Sequence, residues 1–177
     1  MSAAPEFPRP VRLDTLGEGT LGQSIAATET ERAALARRFD LQAIALLEAE
    51  ATLTRTGDAV LVEGRLRATA TQSCVATGEP VPARIDEPFA LRFEPAGTGR
   101  PEELELDEGD LDVIPYEGSA VDLGEAVAQS FALALDPFPR IADADTHLRA
   151  AGVLTEAEAE AARVAASPFA ILKRADD

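Results

Sequence analysis

The chain has 177 residues, of which 46% are apolar, enough for one domain with a real core, with or without a helical tail, and too apolar for disorder along its whole length. It carries 32 acids against 16 bases, a formal net charge of -16. That balance opposes grip on DNA or on an anionic membrane surface, both of which need clustered Lys and Arg. One cysteine and one histidine allow neither an internal disulfide nor a normal zinc site, so no metal or cofactor is expected.

The chain opens without a basic and apolar leader, and no stretch approaches 18 apolar residues, so the expected location is the cytoplasm. Residues 1–10 carry Pro5, Pro8 and Pro10 and read as a flexible arm. Residues 11–16 alternate apolar and polar, the pattern of a short strand. Gly17, Gly19 and Gly22 match a G-x-G-x-x-G spacing literally. Glu18 would set negative charge against a pyrophosphate there, and no helix follows at once, so the stretch reads as a flexible glycine loop. Thr28 with Glu31 forms a capping-box signal for a helix running to Arg38, with Leu35 and Phe39 on one face.

Residues 46–56 and 59–72 read as an antiparallel hairpin turning at Gly57-Asp58. Val60, Val62, Leu66, Ala68 and Ala70 share one face, and Gly64 marks a bulge. Residues 74–82 form a loop. Alternation resumes over 83–93, with Phe89, Leu91 and Phe93 facing the core and Pro88 requiring an edge position or a break. From Glu94 to Glu125 there are eleven acids and one base, Arg100. Leu104 and Leu106, then Leu111 and Val113, allow a strand pair joined near 107–110; the rest is exposed loop.

Residues 121–135 give the clearest helix. Asp122 caps it, Glu125 sits at the third helical position to answer in a capping box, and Leu123, Val127 and Phe131 form an apolar stripe. Asp136-Pro137-Phe138-Pro139 stops it. Thr155 and Glu158 cap a last helix over about 156–166, and Phe169, Ile171 and Leu172 anchor the C-terminus. The expected organisation is an arm over 1–10, a domain over 11–139 with an acidic segment over 94–125, and a helical extension over 140–177 packed on that domain. The fold class is α+β: an antiparallel, hairpin-rich sheet, open or closed like a barrel, with packed helices.

Chemistry is thin. A nucleophilic Cys74 needs a base or a positive field, and His147 has no local motif that joins it to Cys74. Packing at a strand end is the simpler role for the thiol. The acid pairs lie in polar sequence without calcium-loop spacing. No catalytic residue and no metal ligand is assigned, and the protein is expected not to be an enzyme.

Four segments together carry a resemblance. They are Gly64-Arg65-Leu66 leading into Cys74-Val75-Ala76-Thr77-Gly78-Glu79-Pro80-Val81; Phe89-Ala90-Leu91-Arg92-Phe93; residues 112–125, DVIPYEGSAVDLGE; and Phe131-Ala132-Leu133-Ala134-Leu135-Asp136-Pro137-Phe138-Pro139. In order and spacing they resemble the bacterial YceD-like, large ribosomal RNA subunit accumulation protein family, also called DUF177, over roughly residues 40–173. The motif positions are Cys74, Gly78, Pro80, Tyr116, Gly118, Asp122 and Leu123. The resemblance implies a non-enzymatic role in 23S ribosomal RNA accumulation and large-subunit assembly. Many members carry further cysteines; this chain has Arg140-Ile141-Ala142-Asp143 where the later ones would stand, so a zinc role is not implied here.

Under that resemblance the expected partner is a basic ribosomal protein or assembly factor, met by Glu102, Glu103, Asp107, Glu108, Asp110, Asp112 and Glu117. Direct ribosomal RNA contact through Arg65, Arg67, Arg84 and Arg92 is the less favoured version. The alternatives are a thiol-dependent enzyme using Cys74 and an acidic adaptor unrelated to ribosomes.

Overall fold

Two long alternating runs make the centre of the molecule. In a computed structural model that describes residues 5–17, 19–97 and 112–166, they are β3 (Ala43–Thr56) and β4 (Ala59–Ser73), joined by a tight turn with Gly57 at φ +63°. The period-two pattern is the cause. Val60, Val62, Leu66, Ala68 and Ala70 of β4 and Leu47, Ala49, Ala51 and Leu53 of β3 are all buried on one face, while on the other Glu50, Glu63, Arg65 and Arg67 are exposed and Glu48 is half-buried.

Flanking these are β2 (Thr20–Ala26), β5 (Pro80–Pro95) and β6 (Asp112–Tyr116), giving one sheet in the order β2-β3-β4-β5-β6. Upstream, β1 (Pro10–Arg12) pairs with β7 (Ala120–Asp122) in a separate two-stranded ribbon. Four helices complete the described fold: α1 (Glu29–Arg38), α2 (Leu123–Ala134), α3 (Ala144–Ala150) and α4 (Glu156–Ala166). Leu35 of α1 and Leu123, Val127 and Phe131 of α2 bury against the apolar sheet face. Just past α1, Phe39 meets Phe131 edge to face, centroids 6.0 Å apart.

The α+β class, the hairpin about Gly57-Asp58 and the caps at Thr28, Asp122 and Thr155 are as expected. The Thr28–Glu31 capping box is complete in both directions, and Thr155 with Glu158 repeats the arrangement. Pro88 lies on an exposed edge, because β6 pairs with β5 only from Leu91 onward.

Other expectations are corrected. Neither sheet of the described residues closes into a barrel: β2 and β6 remain edges, and α1 and α2 occupy the side that closure would have to enclose. The sheet is not wholly antiparallel, since β5 and β6 run parallel. That pairing needs a crossover; of the expected strand pair, Val113 lies in β6, and Leu104, Leu106, Leu111 and the join near 107–110 lie outside the described residues. The glycine loop is in part strand: Gly22 sits within β2 opposite Thr52.

Gly64 marks no bulge. Its pairing with Ala51 and Phe89 is continuous, and it is small because a Cβ there would strike the Glu50 carbonyl and the Phe89 ring. The bulge lies in β3 between Ile44 and Leu46. It switches parity, so that Leu47 is buried and Leu46 is exposed.

Residues 7–10 are not a loose arm. Phe7 is fully buried, Arg9 N–H donates to Asp122 Oδ1 at 2.9 Å and Leu123 N–H donates to the Arg9 carbonyl at 3.1 Å. Phe7 supplies the apolar area that a proline-rich stretch usually lacks. The strand over 11–16 is shorter than its alternation suggested, giving way to a 3₁₀ turn over Leu13–Thr15. Glu125 does not answer the Asp122 cap. It reaches Arg38 instead, at 2.6 and 2.8 Å.

Candidate functional site

Asp122 is the best-connected of the motif positions. Its Oδ1 accepts from the backbone N–H groups of Arg9, Gly124 and Glu125, which caps α2 and ties residues 7–10 to it. Leu123 is fully buried beside it. Gly124 must lack a side chain, because a Cβ would collide with the Phe7 carbonyl. Gly118, at φ +79°, makes the turn from β6 to β7. At the same end of β6, Tyr116 donates its hydroxyl to the Asp58 carbonyl at 2.7 Å, pinning the edge strand to the β3–β4 turn.

Cys74, Gly78 and Pro80 occupy the opposite end of β4. Cys74 is buried. Its N–H donates to the Glu79 carbonyl, and its carbonyl accepts from Gly78, which turns at φ +76°. Pro80 opens β5 opposite Ser73. The Cys74 thiol is lowered to about 7, chiefly by the Thr77 hydroxyl and, against the opposing effect of burial, by backbone N–H groups of Ile141, Ala76 and Thr77. Val75 N–H donates to the Pro139 carbonyl at 2.9 Å, so this turn also holds the segment that leaves α2.

The motif residues therefore do not converge on one cleft. They shape turns, a cap and an edge at two ends of a long sheet. His147 lies on α3 with Nε2 3.2 Å from Asp143 Oδ2, and no hydrogen bond joins it to Cys74. Among the described residues, no group of three His, Cys, Asp or Glu side chains could hold a metal ion. No described helix is long and apolar enough to cross a membrane.

The four arginines do share one face. Arg65 lies opposite Pro88, Arg67 opposite Asp86, Arg84 opposite Thr69 and Arg92 opposite Leu61, all on the outward side of the sheet. Three of the four are already paired with carboxylates. Arg65 pairs with Asp86 at 2.5 Å, Arg67 lies near Glu48, Glu50 and Asp86, and Arg92 pairs with Glu94 at 2.9 Å. A phosphate backbone would have to displace these carboxylates.

Of the acidic candidates, Asp112 and Glu117 are exposed at either end of β6. Glu102, Glu103, Asp107, Glu108 and Asp110 lie outside the described residues.

A surface that sequence reasoning missed lies between α1, β4 and the end of α2. It is a groove of about 480 Å³ whose lining includes Phe39, Asp40, Val75, Leu133, Asp136 and Pro137. The Asp-Pro-Phe-Pro run was legible as a helix stop, but not that it would stand one wall of a groove.

The order of β4, the Cys74 turn, β5, β6, the Gly118 turn and the Asp122-capped α2 can be set against known families. The model of the family described as large ribosomal RNA subunit accumulation protein YceD matches residues 62–174. The chain belongs to this family. The YceD match begins within β4, later than the resemblance from residue 40, and takes in every motif position above. The chain before it, which holds β1, β2, α1 and β3, packs into the same core through Phe7, Leu35, Leu47 and Leu53. No curated protein and no solved structure matches the chain.

Proposed function

We propose that the protein is a non-enzymatic cytoplasmic factor that supports 23S ribosomal RNA accumulation and large-subunit assembly through contacts with a basic protein. The observation that carries this reading is the YceD family match over residues 62–174. The charge of -16 favours a basic protein partner over nucleic acid, and the carboxylate pairing of Arg65, Arg67 and Arg92 agrees with that preference. The acidic stretch leading into β6 is the first docking surface to test.

Depletion in the native host, with 23S measured against 16S ribosomal RNA and subunits resolved on a sucrose gradient, tests the role. The expected result is a selective fall in 23S and in large subunits, restored by the intact gene. An unchanged ratio and profile overturns the reading. The docking surface is tested by charge reversal at Glu102, Glu103, Asp107, Glu108 and Asp110. Partner binding weakens most at low salt if that segment docks; binding unaltered at low salt removes it. Complementation by a Cys74→Ser chain, read by the same 23S measurement, discriminates the thiol-enzyme alternative, which normal 23S would sink.

A further inference from the structure

Two large exposed apolar side chains line one groove, and a third lies next to it in the chain. Leu133 on α2 is 78% exposed, Phe138 in the segment after it 73%, and Val75 in the Cys74 turn 53%. Leu133 and Val75 line the groove directly, with Pro137 and Pro139, while Phe138 lies between those two prolines in sequence without lining it. These positions are not left over from loose packing. Val75 is held through its N–H to the Pro139 carbonyl, Phe138 N–H is held by the Asp136 carboxylate at 2.9 Å, and Gln72 donates to the Asp136 carbonyl at 2.8 Å. Exposed apolar groups around a concavity are the usual composition of a recognition surface.

Electrostatics says what would cover it. Two carboxylates, Asp40 and Asp136, line the groove and no Lys or Arg does. α2 also ends there, with no basic residue in its last turn, so the negative end of its dipole is uncompensated within the helix. A neutral or acidic occupant leaves these charges partly desolvated and unpaired; a cationic one pairs them.

We propose that this groove seats a polypeptide segment of a ribosomal protein in which apolar side chains are flanked by Lys or Arg. The apolar side chains rest on Leu133, Phe138 and Val75, and the cations meet Asp40, Asp136 and the end of α2. The proposal rests on the assembly reading for the identity of the partner, and adds a site that reading does not contain.

The test places the photo-cross-linking residue p-benzoylphenylalanine at position 133 or 138 of the full chain. The probe is the total protein extracted from purified large ribosomal subunits, and cross-linked peptides are identified by mass spectrometry. The expected result is that both positions trap the same Lys- or Arg-rich segment of one ribosomal protein. Its yield falls by about tenfold at low salt in the double variant Asp40→Asn with Asp136→Asn, through the lost charge pairing. Asparagine keeps the acceptor that Phe138 uses and suits the left-handed backbone of Asp40, at φ 54°, so the double variant folds; an unaltered urea midpoint checks this. Cross-links only within the chain, only to a second copy, or to no ribosomal protein overturn the proposal, as does a yield insensitive to the double variant. Cells in which depletion lowers 23S but the groove traps nothing would keep the assembly role and lose the groove.

Discussion

Two strand glycines separate the roles that a missing side chain can have. Gly22 lies in edge strand β2 with nothing within 4 Å of a built Cβ, whereas Gly64 would drive one into the Glu50 backbone and to 2.8 Å from the Phe89 ring. Gly22→Ala is expected to be neutral or slightly stabilising, by up to about 1 kcal/mol, through the unfolded chain. Gly64→Ala should cost about 1–3 kcal/mol as strand and ring move apart. Urea midpoints of the two variants check this, and equal midpoints would remove the close-approach account. The sequence showed an interrupted face at Gly64 but not its cause, because the obstruction comes from Phe89 and Glu50, on the two neighbouring strands.

Glu31 shows a second single-residue effect. It is held well below its ordinary 4.5, to about 2, first by the Arg9 guanidinium at 2.8 Å and then, against burial, by Thr28. A folded pKa below the unfolded one contributes stability that is full above about 4.5 and is lost as the pH falls towards 2. Glu31→Gln should lower stability at neutral pH and flatten the acid limb across that window. Urea midpoints at pH 6, 4 and 3 report it; a limb as steep as wild type would show that Arg9 does little for Glu31.

At the level of elements, what could be read from sequence was what depends on neighbours in sequence. Thr28, Asp122 and Thr155 announce their helices because a cap acts within four residues, and the β3–β4 hairpin follows from alternation on both sides of Gly57-Asp58. The parallel β6, the β1–β7 ribbon and the bulge beside Leu46 depend on chain far away, and nothing local announces them. Asp122 belongs to both groups: its cap on α2 was legible, its hold on Arg9 was not. Asp122→Ala removes an acceptor from three N–H groups, with an expected cost of about 2 kcal/mol, at the upper end for a helix cap. Asp122→Asn should recover most of it. Amide exchange at Arg9 and Glu125 accelerating together in the alanine variant is the expected signature; acceleration at Glu125 alone would mean residues 7–10 are held by Phe7 without the cap.

Seen whole, the described molecule is a long sheet with one apolar face under α1 and α2 and one polar face open to water. α4 stands apart from that core: none of its residues is buried. Breaking it with Ala162→Pro should reduce helical circular dichroism while shifting the global urea midpoint by less than about 0.5 kcal/mol of stability. A larger shift would mean that α4 supports the domain. The candidate site was legible in part. The family positions from Cys74 to Leu123 were visible as turn and cap residues in order, and the acidic balance pointed to a basic partner. The groove was not, because Leu133, Phe138 and Val75 are ordinary apolar letters until packing shows which of them are left outside.

The bond from Arg9 to Asp122 spans 113 positions, and this bears on how the chain comes off the ribosome. At about 5–20 residues per second, synthesis of that span takes roughly 6–23 s. Throughout that interval Phe7 has no α2 to bury against, although β3 and β4 can already pair. Docking of the N-terminal segment is therefore a late event in biogenesis, and a nascent chain stalled before residue 122 should leave Phe7 open to chaperones and proteases.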